Sequence, residues 1–240
     1  TEARLYAVVP AAGIGQRVGA GLPKQYLTLH GQTLSEHTMG RLLAFARIQK
    51  VVVAVAPRDP WWPQLKVSSH RRVVSTVGGD SRAESVLNGI HCLLAEAGAN
   101  ESDYVLVHDM ARPCLRLSDL DALLSQVDDQ GALLALPVAD TVKQSDQQQA
   151  VAATLEREQV WRALTPQLFP LGALRDALSA GLEQGWSITD EASAMERAGF
   201  RPRLVQGRAD NIKVTHPEDL ALARFYLGRQ EEEGLEWQSV

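Results

Sequence analysis

The chain alternates short apolar runs with amphipathic stretches of helical length, and this alternation limits its possible folds more than any other feature. The clearest run is VVVAVA at residues 51–56, which is apolar at every position and stops at Pro57. A strand that is apolar on both faces is typical of a parallel sheet with helices on both sides. We therefore predict an α/β fold with a doubly wound, mostly parallel sheet. The other predicted strands of this sheet are residues 5–10, 72–77, 104–108 and 132–137.

Helix-start signals divide the sequence between these strands. Three predicted helices follow capping-box patterns. The first ends at about residue 46, the second ends at about residue 97, and the third covers residues 217–227. Ser118 is predicted to cap a helix that runs to about residue 126, and further helices are predicted at residues 171–182 and 190–198. The three capping boxes pair Thr33 with Glu36, Ser81 with Glu84, and Thr215 with Glu218.

Composition narrows the class of protein. The chain has 240 residues, of which 45% are apolar and 22% are charged, so we expect one folded domain over residues 1–240. The net charge of −5 argues against nucleic acid or an anionic membrane as a partner. No apolar run reaches the length of a membrane span, and the N-terminus lacks a signal-peptide pattern, so we expect a cytoplasmic location. Cys92 and Cys114 are expected to be free thiols, buried at least in part.

Residues 140–160 interrupt the alternation of strands and helices. This stretch, DTVKQSDQQQAVAATLEREQV, has too few large apolar residues to form a core element. Its polar centre lies between two pieces that are compatible with strands, and the following ALTPQLF returns to the sheet. We predict a projecting β-hairpin arm, with a loose loop as the alternative.

The stretch VVPAAGIGQRVGAGLPKQY, residues 8–26, turns from a strand into a glycine-rich loop that carries Arg17 and Lys24. It lacks the glycine-lysine pair of a P-loop, and Val18 stands where the dinucleotide fingerprint needs its third glycine. A tight turn would explain the glycines but not the two cations. A loop that binds phosphate explains both, because backbone N–H groups approach the phosphate oxygens and the cations neutralise their charge.

Other polar segments lie at predicted strand ends or helix starts. In GGDSRAES, Ser81 and Glu84 are sufficient to cap the helix, so Gly79, Asp80 and Arg82 are not needed for capping. Because a helix N-terminus favours anions, we expect these three residues to contribute to a binding site. Asp109 ends a buried strand, where ligands of open α/β sheets bind. Lys213 lies between two apolar residues and is either solvated or directed at the site. The spacing of His, Cys and acidic residues does not predict a metal cage made by the protein.

These segments together resemble the 2-C-methyl-D-erythritol 4-phosphate cytidylyltransferases, nucleotidyltransferases of the non-mevalonate isoprenoid pathway. The resemblance extends from residue 8 to residue 227. It implies a Rossmann-like nucleotidyltransferase fold with an arm that clasps a second subunit, and a homodimeric enzyme. The implied reaction joins CTP and methylerythritol phosphate to give CDP-methylerythritol and pyrophosphate, with Mg²⁺ bound mainly through the triphosphate. The motifs that carry the resemblance are VPAAGIGQR, PKQY, GGDSRAESV, VHDMARP, ALTPQLF, TDEASAME and GRADNIKVTHPEDL.

The resemblance also implies roles for individual residues. Met110 stands where the family usually has alanine. The residues matching catalytic positions are Arg17, Lys24, Arg157 and Lys213. Those matching the CTP site are Pro10, Ala11, Ala12, Gly13, Gly15, Gly79, Asp80, Arg82, Ser85, Asp109 and Met110. Those matching the acceptor site are Asp109, Arg112, Thr141, Arg157, Thr165, Thr189 and Lys213.

Three other functions remain open from the sequence. A cytidylyltransferase for another polyol phosphate, such as ribitol 5-phosphate, would keep the same fold and chemistry. A nucleotide-binding regulatory protein would not need both Arg17 and Lys24 near the α-phosphate. An NAD-linked oxidoreductase is disfavoured by Val18 and by the absence of an acidic residue at the end of a second strand.

Overall fold

A central sheet organises the chain. The computed structural model describes residues 3–13 and 21–235, and within them seven of eleven strands form this sheet. The strands are β1 (Leu5–Ala11), β2 (Thr28–Leu29), β3 (Gln32–Thr33), β4 (Ile48–Val55), β5 (Val73–Val77), β6 (Tyr104–Val107), β7 (Ala132–Pro137), β8 (Val142–Ser145), β9 (Val151–Leu155), β10 (Trp161–Pro170) and β11 (Arg203–Gln206). The helices are α1 (Leu34–Ala44), α2 (Arg82–Glu96), α3 (Leu117–Gln126), α4 (Leu171–Glu183), α5 (Glu191–Arg197) and α6 (Pro217–Glu232).

The sheet is mostly parallel, as predicted. Its strand order is β11-β7-β10-β6-β1-β4-β5, and β10 alone among these seven runs antiparallel to its two neighbours. The chain passes from β1 outward to β5 and then crosses back to β6 on the other side of β1. A crevice forms at such a reversal of strand order, beyond the carboxyl ends of the strands.

Helices cover both faces of the sheet because β1 and β6 carry buried apolar side chains on both faces. Ala7 and Val9 of β1 pack in one cluster with α1 and α3, whereas Tyr6 and Val8 pack in a second cluster with α2, α4 and α5. All four side chains are buried. The alternation of side chains along a strand therefore supplies two cores, which confirms the doubly wound prediction.

The helix starts confirm two of the four capping predictions. Thr33 and Ser81 begin α1 and α2 with complete capping boxes. Two predictions were wrong. Arg116, not Ser118, precedes α3, and it caps without a side-chain hydrogen bond. At α6 the acidic partner is Asp219, not Glu218, because the helix starts at Pro217 and its third residue is therefore Asp219.

The stretch at 140–160 is a hairpin arm, so the prediction of an arm over a loose loop is confirmed. β8 pairs with β9 in a two-stranded sheet separate from the central one. The backbone N–H of Val138 donates to the carbonyl of Val160 at 3.0 Å and closes the base of the arm. The chain thus leaves the central sheet at the end of β7 and returns to it at the same place. Because β10 starts beside the end of β7, it must run antiparallel to β7.

A buried polar junction joins α1, α3 and α6 to the segment that carries Lys213. The Arg41 guanidinium donates to Gln230 Oε1 at 2.8 Å, and Gln230 Nε2 donates to Asp210 Oδ2 at 2.9 Å. Arg116 Nε contacts the same Asp210 oxygen at 2.7 Å. Because Asp210 is three residues before Lys213, this junction fixes the backbone on which that lysine stands.

Asp119 of α3 lies at the edge of the junction and is only 4% exposed. Its carboxylate is 3.4 Å from Arg208 Nε. Burial raises the pKa of Asp119 to about 6 despite Arg208, and the charge of Asp210 adds to the rise. The folded state therefore holds the Asp119 proton more tightly than the unfolded chain does.

We expect Asp119→Asn to change how stability depends on pH. The stabilisation from the raised pKa is full below about pH 4 and is lost as the pH rises through about 6. Relative to the variant, the wild-type free energy of unfolding should fall by about 1–3 kcal/mol between pH 4 and 7.5. Urea unfolding across this range measures the effect. Asp121→Asn, at an exposed position of the same helix, is the control; parallel curves for wild type and Asp119→Asn would contradict the prediction.

Candidate active site

A cavity of about 590 Å³ lies at the carboxyl ends of β1, β4, β5 and β6. Backbone from the ends of β1 and β4 forms one side, and the start of α2 forms another. Most of the predicted nucleotide residues converge here. The predicted site residues that line the cavity are Pro10, Ala11, Ala12, Gly13, Lys24, Gly79, Asp80, Arg82, Ser85, Asp109, Met110 and Lys213.

The start of α2 is packed closely against the end of β1. A Cβ on Gly78 would lie 2.3 Å from Ala12 Cβ, a separation that real Cβ atoms do not adopt. Ser85 Oγ accepts from the Gly79 N–H at 3.1 Å and donates to the Ser81 carbonyl at 3.0 Å. Ser85 therefore braces the turn before α2, which brings the helix N-terminus to the cavity wall, where it favours an anion.

Lys24 stands on a short 3-10 turn, Lys24–Tyr26, that is held from three sides. Gln25 Nε2 donates to the Ala11 carbonyl at 3.2 Å, and Ser35 Oγ donates to the Gln25 carbonyl at 2.8 Å. Tyr26 Oη donates to Asp59 Oδ2 at 2.5 Å. Sequence reasoning did not identify these anchors, because they join segments that are distant along the chain.

Burial lowers the pKa of Lys24, and the positive charge of Lys213 lowers it further. The two ammonium groups therefore converge on the same cavity and repel one another across it. An anion placed between them would relieve this repulsion.

Asp109 joins three cations at the wall of the cavity. Arg82 Nη2 contacts Oδ1 at 3.0 Å, while Arg112 Nε and Lys213 Nζ each contact Oδ2 at 3.3 Å. Burial alone would raise the pKa of Asp109, but the three cations hold it well below its usual range. Asp109 is therefore a carboxylate that orders cations.

Glu191, which sequence reasoning missed, holds the other side of Arg82. Its oxygens lie 2.5 Å from Arg82 Nη1 and 3.2 Å from Nη2. Burial alone would lower the pKa of Arg82, but the Glu191 and Asp109 carboxylates raise it above its usual value. In the sequence, Glu191 directly follows the helix cap Asp190 in the motif TDEASAME. This pattern predicts only the start of a helix.

His108 fixes the hydrogen bonding of Thr165. His108 Nε2 is 3.1 Å from the Arg112 carbonyl, which can only accept, so Nε2 carries the proton. Burial lowers the pKa of His108 to about 4, so the ring is neutral and Nδ1 accepts from the Thr165 hydroxyl at 3.0 Å. The Asp109 N–H donates to the same hydroxyl oxygen at 3.0 Å. His108 and Thr165 thus tie β10 to the backbone of Asp109.

A second cavity of about 290 Å³ shares one wall with the first. Arg82, Asp109 and Lys213 line both cavities. A group in one cavity and a group in the other would therefore meet at the same three charged side chains. The other predicted acceptor residues that line this second cavity are Arg112, Thr165 and Thr189.

Comparison with known proteins decides the family. The sequence model of the 2-C-methyl-D-erythritol 4-phosphate cytidylyltransferase family matches residues 5–229. Cytidylyltransferases of that name from Haemophilus influenzae and Tolumonas auensis are 54% and 55% identical to this chain; each alignment covers 94% of the chain and 97% of the relative. The chain belongs to the 2-C-methyl-D-erythritol 4-phosphate cytidylyltransferase family.

Two solved structures of such cytidylyltransferases show the same fold. The Francisella tularensis protein is 33% identical with a TM-score of 0.80, over 93% of this chain and 100% of that one. The Thermus thermophilus protein is 30% identical with a TM-score of 0.74, over 94% of this chain and 99% of that one. The Rossmann-like nucleotidyltransferase fold implied by the sequence resemblance is thereby confirmed.

Some predicted site residues of this cytidylyltransferase do not join the two cavities. Arg157 and Thr141 are exposed on the arm and its base, and Arg157 Nη1 donates to the Ala139 carbonyl at 2.9 Å. Arg17 and Gly15 lie outside the described residues. Met110, the departure from the family pattern, does line the first cavity, but it is only 4% exposed and packs mainly into the core.

Other sequence predictions can be compared with the described residues. Cys92 and Cys114 are free and buried, as predicted. Across residues 3–13 and 21–235, no helix is long and apolar enough to cross a bilayer. Within the same residues, no three His, Cys, Asp or Glu side chains are grouped so that they could hold a metal ion.

We expect Gly78→Ala to weaken CTP binding by about tenfold or more, a loss of about 1.4 kcal/mol of binding free energy, because overpacking displaces the backbone that lines the cavity. The added methyl group would force the end of β1 and the start of α2 apart. Isothermal titration with CTP measures the affinity, and circular dichroism checks the fold. Gly228→Ala is the matched control, since its Cβ would lie 3.7 Å from His30 Cε1, an ordinary contact. Unchanged CTP affinity in Gly78→Ala would contradict the close fit.

Proposed function

We propose that this chain transfers the cytidylyl group of CTP to 2-C-methyl-D-erythritol 4-phosphate and releases pyrophosphate. Family membership supports this reaction. The observation that carries it is the charged wall of Arg82, Asp109 and Lys213 shared by two adjacent cavities. A nucleotide in the larger cavity and an acceptor in the smaller one would bring both reacting phosphates to that wall.

The main difficulty of this reaction is electrostatic. The attacking oxygen belongs to a phosphate that is already anionic at neutral pH, so the step needs no general base. The enzyme must instead bring two polyanions together and stabilise the charge that develops at the α-phosphorus. Lys24 and Lys213 converge on the cavity and repel each other there, which suits this task. Arg17 is proposed to act with Lys24 at the α-phosphate.

A divalent cation is general among enzymes of this kind, and we propose Mg²⁺ bound mainly through the triphosphate oxygens. Asp109 already contacts three cations, whereas Asp80 is an exposed carboxylate on the cavity wall and would hold the ion through a water molecule. When bound, Mg²⁺ neutralises phosphate charge and helps to align the leaving group. Asp80 fits the oxygen ligands and water shell that this ion prefers.

The acceptor side is proposed to use the second cavity. Lys213 would receive the acceptor phosphate, and Arg112 and Thr189 would contact the polyol. The Thr165 hydroxyl donates to His108 and accepts from the Asp109 N–H, so one lone pair remains. Thr165 can therefore accept a hydrogen bond from a substrate hydroxyl but cannot donate one.

The arm is proposed to complete the site of a second subunit, with residues 1–240 forming one domain and residues of about 140–160 its dimerisation arm. Val151 and Leu155 of the hairpin are 66% and 39% exposed, and Val142 pairs with Leu155. A two-stranded hairpin with an uncovered apolar face is only marginally stable alone. Docked on a partner, it would carry Thr141 and Arg157 to the partner's acceptor site. The two free thiols support the proposed cytoplasmic location.

The proposed reaction is tested by pyrophosphate release. The purified chain should turn over CTP with methylerythritol phosphate and Mg²⁺, and far less with ribitol 5-phosphate. Lys24→Ala should lower kcat by about 10²–10³, as loss of one transition-state donor does, and Arg17→Ala should do the same. CTP affinity should fall much less.

Lys50→Ala, at the opposite end of the sheet where β4 begins, is the control for loss of a lysine. Preference for ribitol 5-phosphate would replace the proposed acceptor. If no polyol phosphate supports turnover, the proposed transfer is wrong and nucleotide binding is the only function that the first cavity still supports. Near-normal turnover in Lys24→Ala would remove that lysine from the mechanism.

The exchange of arms is tested by refolding Arg157→Ala and Lys24→Ala together. Each variant alone should be inactive. In a mixed dimer, the Arg157→Ala chain keeps its own Lys24 and receives Arg157 from the partner's arm, so one of the two sites works. Half of randomly paired dimers are mixed, so activity should return to roughly a quarter of wild type. If Arg157 serves its own chain, mixing will restore nothing.

A further inference from the structure

We infer that Glu191 is a positioning residue for the transfer: through Arg82 it orients Asp109 at the wall between the nucleotide and acceptor cavities. This inference rests on the proposed function for its kinetic consequence but not for its geometry. No sequence motif assigned Glu191 a role. Its role follows from the two ion pairs that Arg82 makes at once.

The Glu191 carboxylate is fully buried, with 0% of the residue exposed. It lies in the first turn of α5 and forms a two-pronged pair with the Arg82 guanidinium, at 2.5 Å and 3.2 Å. Such a planar pair fixes both the distance and the tilt of the guanidinium. Arg82 therefore cannot rotate about its long side chain as an exposed arginine would.

The remaining edge of the same guanidinium holds Asp109. Arg82 Nε and Nη2 lie 3.2 Å and 3.0 Å from Asp109 Oδ1. The fork thus spans two carboxylates, and its fixed plane sets where Oδ1 lies. Oδ2 is then directed toward Arg112 and Lys213. Lys213 lines both cavities, whereas Glu191 lines neither of them. The position of Lys213 consequently depends on Glu191, through Arg82 and Asp109.

Charge balance gives Glu191 a second effect. Arg82, Arg112 and Lys213 are three cations, and Asp109 and Glu191 are two carboxylates, so the group carries one excess positive charge. Glu191 compensates Arg82, which leaves the excess on the side of Arg112 and Lys213, where an acceptor phosphate would bind. Without Glu191, Arg82 would compete with Lys213 for Asp109.

The position of α5 does not depend on this ion pair alone. Gln167 of β10 accepts from the Ala192 N–H at 2.9 Å and donates to Asp190 Oδ2 at 2.9 Å. These bonds dock the start of α5 on the sheet independently of Glu191. Buried ion pairs also contribute little net stability compared with apolar side chains of similar volume. Orientation of Arg82 therefore accounts for Glu191 better than stability does.

Glu191→Gln tests the inference, because glutamine keeps the shape and removes the charge. We expect kcat to fall at least tenfold, the KM for methylerythritol phosphate to rise, and the KM for CTP to change less than threefold. Glu191→Asp, which keeps the charge, should recover part of the loss and serves if Glu191→Gln folds poorly. Asp103→Asn is the control: Asp103 is buried and paired with Arg4 at 3.0 Å at the opposite end of β6. It should lower the melting temperature while leaving kcat within twofold.

A double-mutant cycle separates positioning from stability. In an Arg82→Met background, Glu191→Gln should leave kcat unchanged and raise the melting temperature, because it removes an uncompensated buried charge. Additive losses in kcat would show that Glu191 acts independently of Arg82 and would overturn the inference. So would a Glu191→Gln enzyme with kcat within twofold of wild type.

A crystal structure of Glu191→Gln decides the geometry without any turnover. We expect the contact between Lys213 Nζ and Asp109 Oδ2, 3.3 Å in the wild type, to be broken. An unchanged contact would overturn the inference. If wild-type chain shows no transfer with any acceptor, the proposed function fails, and this structure still tests the positioning role.

Discussion

The arrangement of the site depends on the ion pairs of Asp109. A single carboxylate contacts Arg82 through one oxygen and Arg112 and Lys213 through the other. Cations brought together without it would repel each other in a partly buried place, and burial would discharge or expel them. With it, the protein keeps positive charge at the meeting point of two cavities although its net charge is −5. A binding site for two polyanions can therefore exist in an acidic protein.

The fold holds this group by long-range contacts. β6 places Asp109 beyond its carboxyl end, α2 begins with Arg82, and α5 brings Glu191 from more than 100 positions along the chain. The antiparallel β10 supplies Thr165, whose hydroxyl accepts directly from the Asp109 N–H and is oriented by its own hydrogen bond to His108. The junction of α1, α3 and α6 holds the segment before Lys213. Arg82, the backbone of Asp109 and the segment before Lys213 thus each have a buried polar support.

Local patterns predicted much of the fold and of the site. The buried strands and the capping boxes at Thr33 and Ser81 are encoded within a few residues, so they could be found without knowledge of the tertiary structure. The family motifs indicated the residues that line both cavities. The role of Glu191 could not be predicted, because a buried carboxylate after a helix cap has the same local sequence pattern as an exposed one. The direction of β10 could not be predicted because it follows from where the arm rejoins the sheet. The cap of α6 was predicted wrongly because the helix starts at Pro217, one residue later than a box of Thr215 and Glu218 would require.

The closed base of the arm has a consequence for evolution. One hydrogen bond between Val138 and Val160 ends the arm, and the sheet continues on either side as if the intervening residues were absent. Changes in arm length or in its apolar face therefore do not shift the register of β7 or β10. Sequence changes confined to the tip of the hairpin can therefore accumulate without disturbing the strands that carry the charged wall. The tip of the arm and the charged wall are in this sense free to vary separately.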